Sequence, residues 1–171
     1  GGIAGCIQSG TAEVTIEHCL FDSTITIKAS SANVGGICGV VASGSNIKIN
    51  DTLGFGTIDV GSYTVGKRGS ILGKADVAAV ITNSYGNKTY SLAGSTTNVT
   101  ATTGVGNMTP TNYLGVNGLN LQFLDFENYW VAKQNTTPKL KSMVHSFMND
   151  ATTNAQGQKV YKLATSEDLY E

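Results

Sequence analysis

The sequence predicts an all-β fold in the form of a β-solenoid, a stack of about three coils of about 33 residues closed by an irregular C-terminal cap. Three observations predict it. The chain of 171 residues contains 21 glycines and only 13% charged residues, whereas long solvated helices need charges. A glycine motif recurs at a fixed spacing. The segments between its copies are short and alternate apolar with polar residues, which is typical of half-buried strands.

The glycine motif is the first element of the repeat, and it occurs three times at equal spacing. Its copies are residues 1–5 (GGIAG), 35–39 (GGICG) and 69–73 (GSILG). Glycine at these positions allows positive φ or a close approach of neighbouring backbones. We therefore expect each copy to begin a coil.

Two strand-like elements follow the glycine motif in step. Residues 14–20 align with 47–53 and then with 79–85, at offsets of 33 and about 32, and residues 24–27 match 57–60. All are rich in Val, Ile and Thr, so the sequence predicts three strands per coil. One coil cannot bury its own apolar face, so we expect the stack to be the folding unit, with a continuous core of inward Ile and Val side chains.

The repeat fades near residue 88, and this divides the chain into three parts. Residues 1–88 are the predicted coils, residues 89–141 a degenerate last coil with an aromatic cap, and residues 142–171 a linker and the start of a following module. Residues 119–130 hold most of the cap's large apolar side chains, including the only tryptophan. We expect this segment to seal the open end of the stack, because an uncovered terminal repeat promotes strand-edge aggregation.

Several of these motifs resemble a known repeat family. They are residues 35–39 (GGICG), 56–58 (GTI), 81–85 (ITNSY), and 124–130 (LDFENYW) followed by 138–140 (PKL). The pattern is similar to the GLUG-motif repeats of large surface proteins, including those beside the protease unit of bacterial IgA-cleaving metallopeptidases. The resemblance covers roughly residues 1–141.

The resemblance implies secretion and a role as a stalk, filament or adhesin, and it carries no catalytic residue onto this chain. The metallopeptidase motif His-Glu-x-x-His is absent, because neither His18 nor His145 precedes a glutamate. The chain begins with Gly1 rather than Met, so we expect it to derive from a longer protein.

Composition excludes several partners. Eleven basic residues against 12 acidic ones, with a net charge of −1, leave no basic excess for nucleic acid or an anionic membrane. No apolar run approaches the ~18 residues of a membrane span. Cys6, Cys19 and Cys38 are an odd set without Cys-x-x-Cys spacing, so we expect small buried thiols, with a disulfide between two of them as the alternative.

Two groups of residues are candidates for chemistry. The alignment places His18, Asp51 and Asn83 at equivalent positions of successive coils, about 4.8 Å apart per step. One interpretation is a small acid/base or metal cluster, and the other, which we favour, is a polar ladder at a turn. Residues 61–68 (GSYTVGKR) nearly fit a phosphate-binding loop, but Arg68 stands where the motif needs Ser or Thr. We therefore predict a solvated turn there.

Aromatic residues and asparagines supply the remaining candidate sites. Trp130, Tyr129 and Tyr113 form a candidate sugar-stacking platform, with burial in the core as the competing interpretation. Glycosylation sequons stand at Asn50, Asn87, Asn98, Asn107 and Asn135, and any that are used should face solvent.

Together these observations predict a non-enzymatic structural or adhesive segment of a large extracellular or cell-surface protein, without a metal or cofactor. The alternative is a carbohydrate-binding module that accompanies a surface enzyme. The expected partners are neighbouring repeats of the same protein, further copies of the chain by self-assembly, and a glycan or host-surface ligand.

Overall fold

The computed structural model describes residues 1–8, 10, 12–44, 46–87, 89–95, 97–101, 106–108, 121–131, 137–143 and 152–160. The predicted all-β class is confirmed. The strands of the described residues are β1 (Ala4–Ile7), β2 (Glu13–Glu17), β3 (Leu20–Phe21), β4 (Thr24–Thr26), β5 (Val34–Gly35), β6 (Cys38–Val41), β7 (Asn46–Asn50), β8 (Leu53–Gly54), β9 (Thr57–Asp59), β10 (Arg68–Gly69), β11 (Leu72–Ala75), β12 (Ala79–Thr82), β13 (Tyr85–Asn87), β14 (Val99–Ala101), β15 (Gly106–Met108), β16 (Trp130–Val131), β17 (Lys139–Leu140), β18 (Thr152–Thr153) and β19 (Lys159–Val160). A 3-10 turn covers Lys141–Met143.

Strands β1 to β15 form small parallel sheets in which each strand lies beside its counterpart from the next repeat. The sheet orders are β1-β6-β11, β2-β7-β12-β14, β3-β8-β13-β15, β4-β9 and β5-β10. We refer to β1–β4 as the first tier, β5–β9 as the second, β10–β13 as the third and β14–β15 as the fourth. Strands β16 and β17, and likewise β18 and β19, pair antiparallel.

The pairing registers of the first three tiers agree with the alignment of the sequence with itself. Cys38 lies between Ala4 and Leu72, the residues at the same position of the neighbouring glycine motifs. Ile47 lies between Val14 and Ala79, as the alignment of the second element predicts. The fourth tier departs from the repeat, because Ala79 pairs with Val99 across a much shorter stretch of chain.

Each of the predicted strands 14–20, 47–53 and 79–85 is broken into two. The breaks fall at His18, Asp51 and Asn83, whose φ angles are 51°, 50° and 46°. This left-handed conformation turns the chain and ends the first strand of each pair. The prediction of three strands per repeat was therefore wrong, because the described residues form four strands in the first tier, five in the second and four in the third.

The main core lies between the parallel sheets and is made of residues stacked across tiers. Ile37, Ile49, Ile71 and Ile81 are all 0% exposed. The outward side chains of β3, β8 and β13 face away from this core and form a second apolar column, Leu20, Leu53 and Tyr85.

Residues 121–131, which we call the brace, cover that second column. Leu121, Leu124 and Trp130 pack with Leu53 and Tyr85 in one cluster, to which Leu20 also belongs. The brace therefore touches all three tiers, whereas a segment that sealed the end of the stack would touch one. Residues 121–131, which were expected to help seal the end of the stack, thus lie along its side, where the outward apolar side chains form a column.

Candidate functional site

The candidate site lies at the corner between β2 and β3 of the first tier and at the equivalent corners of the second and third tiers. His18 connects β2 to β3, Asp51 connects β7 to β8, and Asn83 connects β12 to β13. Asn and Asp tolerate the left-handed conformation better than most residues, because their short polar side chains bond locally. The three positions are thus equivalent in backbone conformation, as well as in sequence.

A hydrogen bond from the following residue stabilises each corner. The Sγ of Cys19 donates to the Glu17 carbonyl (3.2 Å), the Oγ1 of Thr52 to Asn50 (2.8 Å), and the Oγ of Ser84 to Thr82 (2.7 Å). Thr52 and Ser84 are fully buried. A short donor side chain two positions after the accepting carbonyl is therefore a shared feature of all three corners. It accounts for the position of Cys19, whose thiol takes the place of a hydroxyl.

We expect Thr52→Val to lower the free energy of unfolding by about 1–3 kcal/mol, because it removes the donor while nearly preserving the side-chain volume. Thr52→Ser keeps the hydroxyl and is the matched control, with a cost of about 1 kcal/mol for the lost methyl group. Urea unfolding followed by circular dichroism measures both. A Thr52→Val variant as stable as the native chain would show that this hydrogen bond contributes nothing.

Asp51 joins the corner to the brace. The backbone N–H of Asp125 donates to its Oδ1 (2.9 Å), and the indole Nε1 of Trp130 donates to its Oδ2 (2.9 Å). The Nε2 of His18 lies 3.5 Å from the same Oδ2. Asp51 is 2% exposed, so its carboxyl group is buried. Its two oxygens accept hydrogen bonds from the brace, and one of them also lies near His18.

Burial raises the pKa of Asp51 above its ordinary value of 3.8, since the charged form is removed from water. The Asp125 N–H, the Trp130 N–H and the nearby His18 act in the opposite direction and reduce the increase. Asp125 itself is half-buried, and hydrogen bonds from the side chain and backbone of Asn128 lower its pKa. The two carboxylates near this corner thus differ in pKa because burial has the larger effect at Asp51 and hydrogen bonding has the larger effect at Asp125.

The raised pKa predicts how the contribution of Asp51 to stability depends on pH. Since the folded-state value lies above the unfolded value of about 3.9, protonation favours the folded state. The contribution is complete below the unfolded pKa and is lost as pH rises through the folded pKa. We expect the free energy of unfolding of the native chain, minus that of Asp51→Asn, to fall in urea titrations as the pH rises from below to above the unfolded pKa of about 3.9. A difference that rises over this range would mean that the folded pKa is lowered instead.

His18 stacks on the brace through its ring. The centroids of His18 and Tyr129 are 3.4 Å apart and the ring planes meet at 14°. Tyr129 is 42% exposed, so this stack lies at the surface, directly above the buried Asp51. Beside it, Asn128 donates from its side chain and its backbone to the carboxylate of Asp125.

The three residues of the predicted polar ladder do not all meet. The structure brings His18 to Asp51, but the Nδ2 of Asn83 donates to the Oδ1 of Asn50 (3.1 Å), which also accepts from the Oγ1 of Thr82 (2.8 Å). Among the described residues, no group of three or more His, Cys, Asp or Glu side chains is placed to hold a metal ion. The geometry is that of polar side chains bonding to neighbouring tiers and to the brace.

In the candidate phosphate loop, residues 61–68, backbone N–H groups donate hydrogen bonds to acceptors of the protein. The N–H groups of Gly61, Gly66 and Lys67 donate to acceptors of the protein, so these three groups are not directed at a bound anion. The donors and acceptors are Gly61 to Asp59 Oδ1, Gly66 to the Ala32 carbonyl, and Lys67 to Asn33 Oδ1.

The candidate sugar platform is divided between core and surface. Trp130 is 1% exposed and its N–H is bound to Asp51, so it offers no ring face to a ligand and belongs to the core. Tyr129 is the platform residue that the structure places at the surface. Tyr113 lies outside the described residues.

The sequon asparagines that the structure describes with side chains are half-buried, so they do not meet the condition of facing solvent. They are Asn50, Asn87 and Asn98. The Nδ2 of Asn87 donates to Phe55 (3.2 Å) and that of Asn98 to Ala75 (3.1 Å), and glycosylation would disrupt these bonds. Asn107 lies in β15, and Asn135 lies outside the described residues.

The three cysteines are free and occupy three different environments. Cys38 is buried as expected, and burial raises its pKa to about 11. Cys19 is half-buried at its corner. Cys6 is exposed, so the expectation of a buried thiol was wrong there, because its side chain points outward from the first tier.

Sequence reasoning missed the residues that fix the brace. Leu20, Leu53 and Tyr85 were aligned but were not recognised as a separate apolar column. The available signal was a large apolar residue at the same position in all three repeats, next to a residue that already faces the core. Asp125 gave no such signal, because it acts on Asp51 through its backbone N–H.

Comparison of the chain with protein-family models, with curated proteins and with solved structures finds no match. Within the described part of the chain, no helix has the length and apolar character needed to cross a bilayer.

Proposed function

We propose that the chain is a non-catalytic structural or adhesive segment of a large extracellular or cell-surface protein, folded as a short β-solenoid. The observation that carries the proposal is the parallel pairing of equivalent strands across three tiers, in the register of the sequence repeat. Such stacking makes each repeat depend on its neighbours, and further repeats of the same kind would extend the protein along the stacking direction. A stalk, filament or adhesin needs those properties. The resemblance to GLUG-motif repeats supports the surface location.

The brace supports the same role. It crosses the stack from Tyr85, whose hydroxyl accepts the Phe123 N–H (3.4 Å), to Asp22, which accepts from the Nζ of Lys139 (2.8 Å) in the strand that follows. Asp51 holds it at the middle tier. The brace thereby links the first three tiers, which would resist their separation under load.

Antibodies against the chain test the proposed location and role on intact cells of its source. We expect labelling of the cell surface without permeabilisation, in extended structures or patches seen by immunogold electron microscopy. Labelling that appears only after permeabilisation would contradict the proposal. An antibody against a cytoplasmic protein serves as the control for membrane integrity.

A carbohydrate-binding role is the second candidate, and the exposed Tyr129 ring favours it. The ring is held flat by its stack on His18 and stands next to the polar groups of Asn128 and Asp125. A glycan array tests this role with the native chain, Tyr129→Ala and Tyr63→Ala, because Tyr63 is equally exposed, at 41%, in the loop of residues 61–68. Binding lost only in Tyr129→Ala supports it, and no glycan signal above background contradicts it.

A further inference from the structure

The outward face of the antiparallel pair of β16 and β17 places a lysine beside the Tyr129 ring. Trp130 lies opposite Leu140, and the backbone N–H of Lys141 donates to the Tyr129 carbonyl (2.8 Å). Trp130 is 1% exposed, and Leu140 packs against the same core cluster. Side chains alternate along a strand, so those of Tyr129 and Lys141 lie on the opposite face, and both are exposed. Side chains opposite each other in such a pair have Cβ atoms about 5 Å apart, so the ammonium can reach a ligand that lies on the ring.

This outward face lies on the side of the stack rather than at either of its ends. The brace packs on the column of Leu20, Leu53 and Tyr85, which runs along the first three tiers. A neighbouring repeat of the same kind would pair with the outermost strands of the parallel sheets, along the stacking direction. The outward face of β16 and β17 points away from the column, so a neighbouring repeat would not pair with it.

The Tyr129 ring offers a ligand one face in a fixed orientation. His18 occupies the other face, with the ring centroids 3.4 Å apart and the planes at 14°. The face of an aromatic ring is electronegative and attracts the C–H groups of a pyranose, so one open face fits one sugar ring. Because the stack on His18 already orders the tyrosine, less side-chain entropy is lost on binding.

Lys141 supplies a positive charge next to this ring. Its Nζ donates to the backbone carbonyl of Glu127 (2.7 Å), which is a neutral acceptor. An ammonium group has three N–H donors, so two remain for a ligand. Within the part of the chain that the structure describes, no carboxylate forms an ion pair with Lys141. A negative charge on a sugar bound to the ring would therefore meet a cation that has no other counter-charge.

The neighbouring charged groups of the hairpin and its turn have partners or are acidic. The Nζ of Lys139 donates to Asp22 (2.8 Å), and the carboxylate of Asp125 accepts hydrogen bonds from Asn128. Glu127 is exposed in the same turn, and its carboxylate would repel an anionic ligand. Lys141 is thus the residue that would attract a negative charge to the ring, and Glu127 is the residue that would oppose it.

We propose that Tyr129 and Lys141 bind an acidic sugar, a pyranose that carries a carboxylate. Its C–H face packs on the open face of the tyrosine ring, and its carboxylate accepts hydrogen bonds from the lysine ammonium. A neutral sugar would stack in the same way but would leave the ammonium without a counter-charge, so charge supplies the selectivity. The inference rests on the carbohydrate-binding candidate of the proposed function and names the class of glycan that this site takes.

Saturation-transfer NMR of the native chain tests the proposal with pairs of probes that differ in charge. The pairs are methyl glucuronide with methyl glucoside, and sialyllactose with lactose. We expect the acidic member of at least one pair to bind about three- to fivefold more tightly, the upper part of the range for an exposed ion pair. The preference should disappear in about 1 M salt, where the Debye length is only about 3 Å. Equal binding within both pairs would overturn the proposal.

Variants of the charged residues assign the preference to Lys141. Lys141→Gln should bind the acidic and the neutral member equally, whereas Lys141→Arg keeps the charge and should keep the preference. Lys28→Gln is the matched control, because Lys28 is an exposed lysine outside the brace and hairpin. Glu127→Gln removes the opposing charge and should strengthen the binding of the acidic member. A preference that survives in Lys141→Gln would contradict the assigned role of this residue.

Tyr129→Ala separates the possible failures, with thermal unfolding curves to show that the variant is folded. It should abolish the binding of both members of each pair. If both members bind equally and Tyr129→Ala removes their binding, only this inference fails and the carbohydrate-binding candidate stands. If no probe binds, both fail, while the structural role is tested separately by surface labelling. Binding of the acidic member that persists in Tyr129→Ala would place the site elsewhere and overturn the proposal.

Discussion

Gly73→Ala is expected to lower the free energy of unfolding by about 3 kcal/mol or more, because the added methyl group would collide with backbone atoms of the neighbouring tier. A Cβ at Gly73 would fall against the carbonyl oxygen of Gly39, and would also lie 2.7 Å from the carbonyl carbon of Val34. Neither is the end of a flexible side chain, so the tiers themselves would have to separate. Urea unfolding followed by far-ultraviolet circular dichroism measures the loss.

Gly5→Ala is the matched control. Gly5 occupies the same position of the glycine motif one repeat before Gly39, but a Cβ there meets nothing within 4 Å. We expect its free energy of unfolding to stay within about 0.5 kcal/mol of the native value, as for most surface substitutions. Similar losses in the two variants would mean that the glycines are not needed for close contact between tiers.

Trp130→Ala is expected to lower the free energy of unfolding by about 3–5 kcal/mol, the range for removing a buried Trp or Phe side chain. The substitution leaves a cavity among Leu53, Tyr85 and Leu124, and it removes the donor to the Oδ2 of Asp51. The brace should detach as a consequence, which limited proteolysis with mass spectrometry detects as new cleavage within residues 121–131.

Two variants separate packing from hydrogen bonding at this position. Trp130→Phe keeps much of the packing and loses the indole N–H. We expect it to lower the free energy of unfolding by about 1.5–3 kcal/mol, the range for hydrogen bonds to charged groups. Tyr129→Ala removes an exposed ring and should lower the free energy of unfolding by less than either substitution of Trp130. If Trp130→Ala unfolds at the same urea concentration as the native chain, the brace does not stabilise the tiers.

The strands of the first three tiers could be predicted because their signal is local and repeated. Alternation of Val, Ile and Thr marks each strand, and the glycine motif fixes the offset between tiers, so the register of Val14 with Ile47 follows from alignment alone. The breaks at His18, Asp51 and Asn83 were less visible. A left-handed residue inside an apparently continuous strand changes neither its length nor its alternation.

The position of the brace could not be predicted, because it depends on contacts between residues far apart in the chain. Trp130 bonds to Asp51, 79 positions earlier, and the Asp125 N–H bonds to the same side chain. An aromatic segment predicts burial but not the surface on which it is buried. The brace lies along the side of the tiers because Leu20, Leu53 and Tyr85 form an outward apolar column there. That column becomes a distinct surface only where the corners have turned the chain.

A nuclear Overhauser experiment on the isotope-labelled chain detects the stacked parallel tiers directly. We predict cross-strand contacts between α and amide protons of residues paired across successive tiers, such as Ile16 with Ile49 and Ile25 with Ile58. Contacts that instead join β2 to β3 or β4 as antiparallel hairpins would contradict the stack, and with it the proposed structural role.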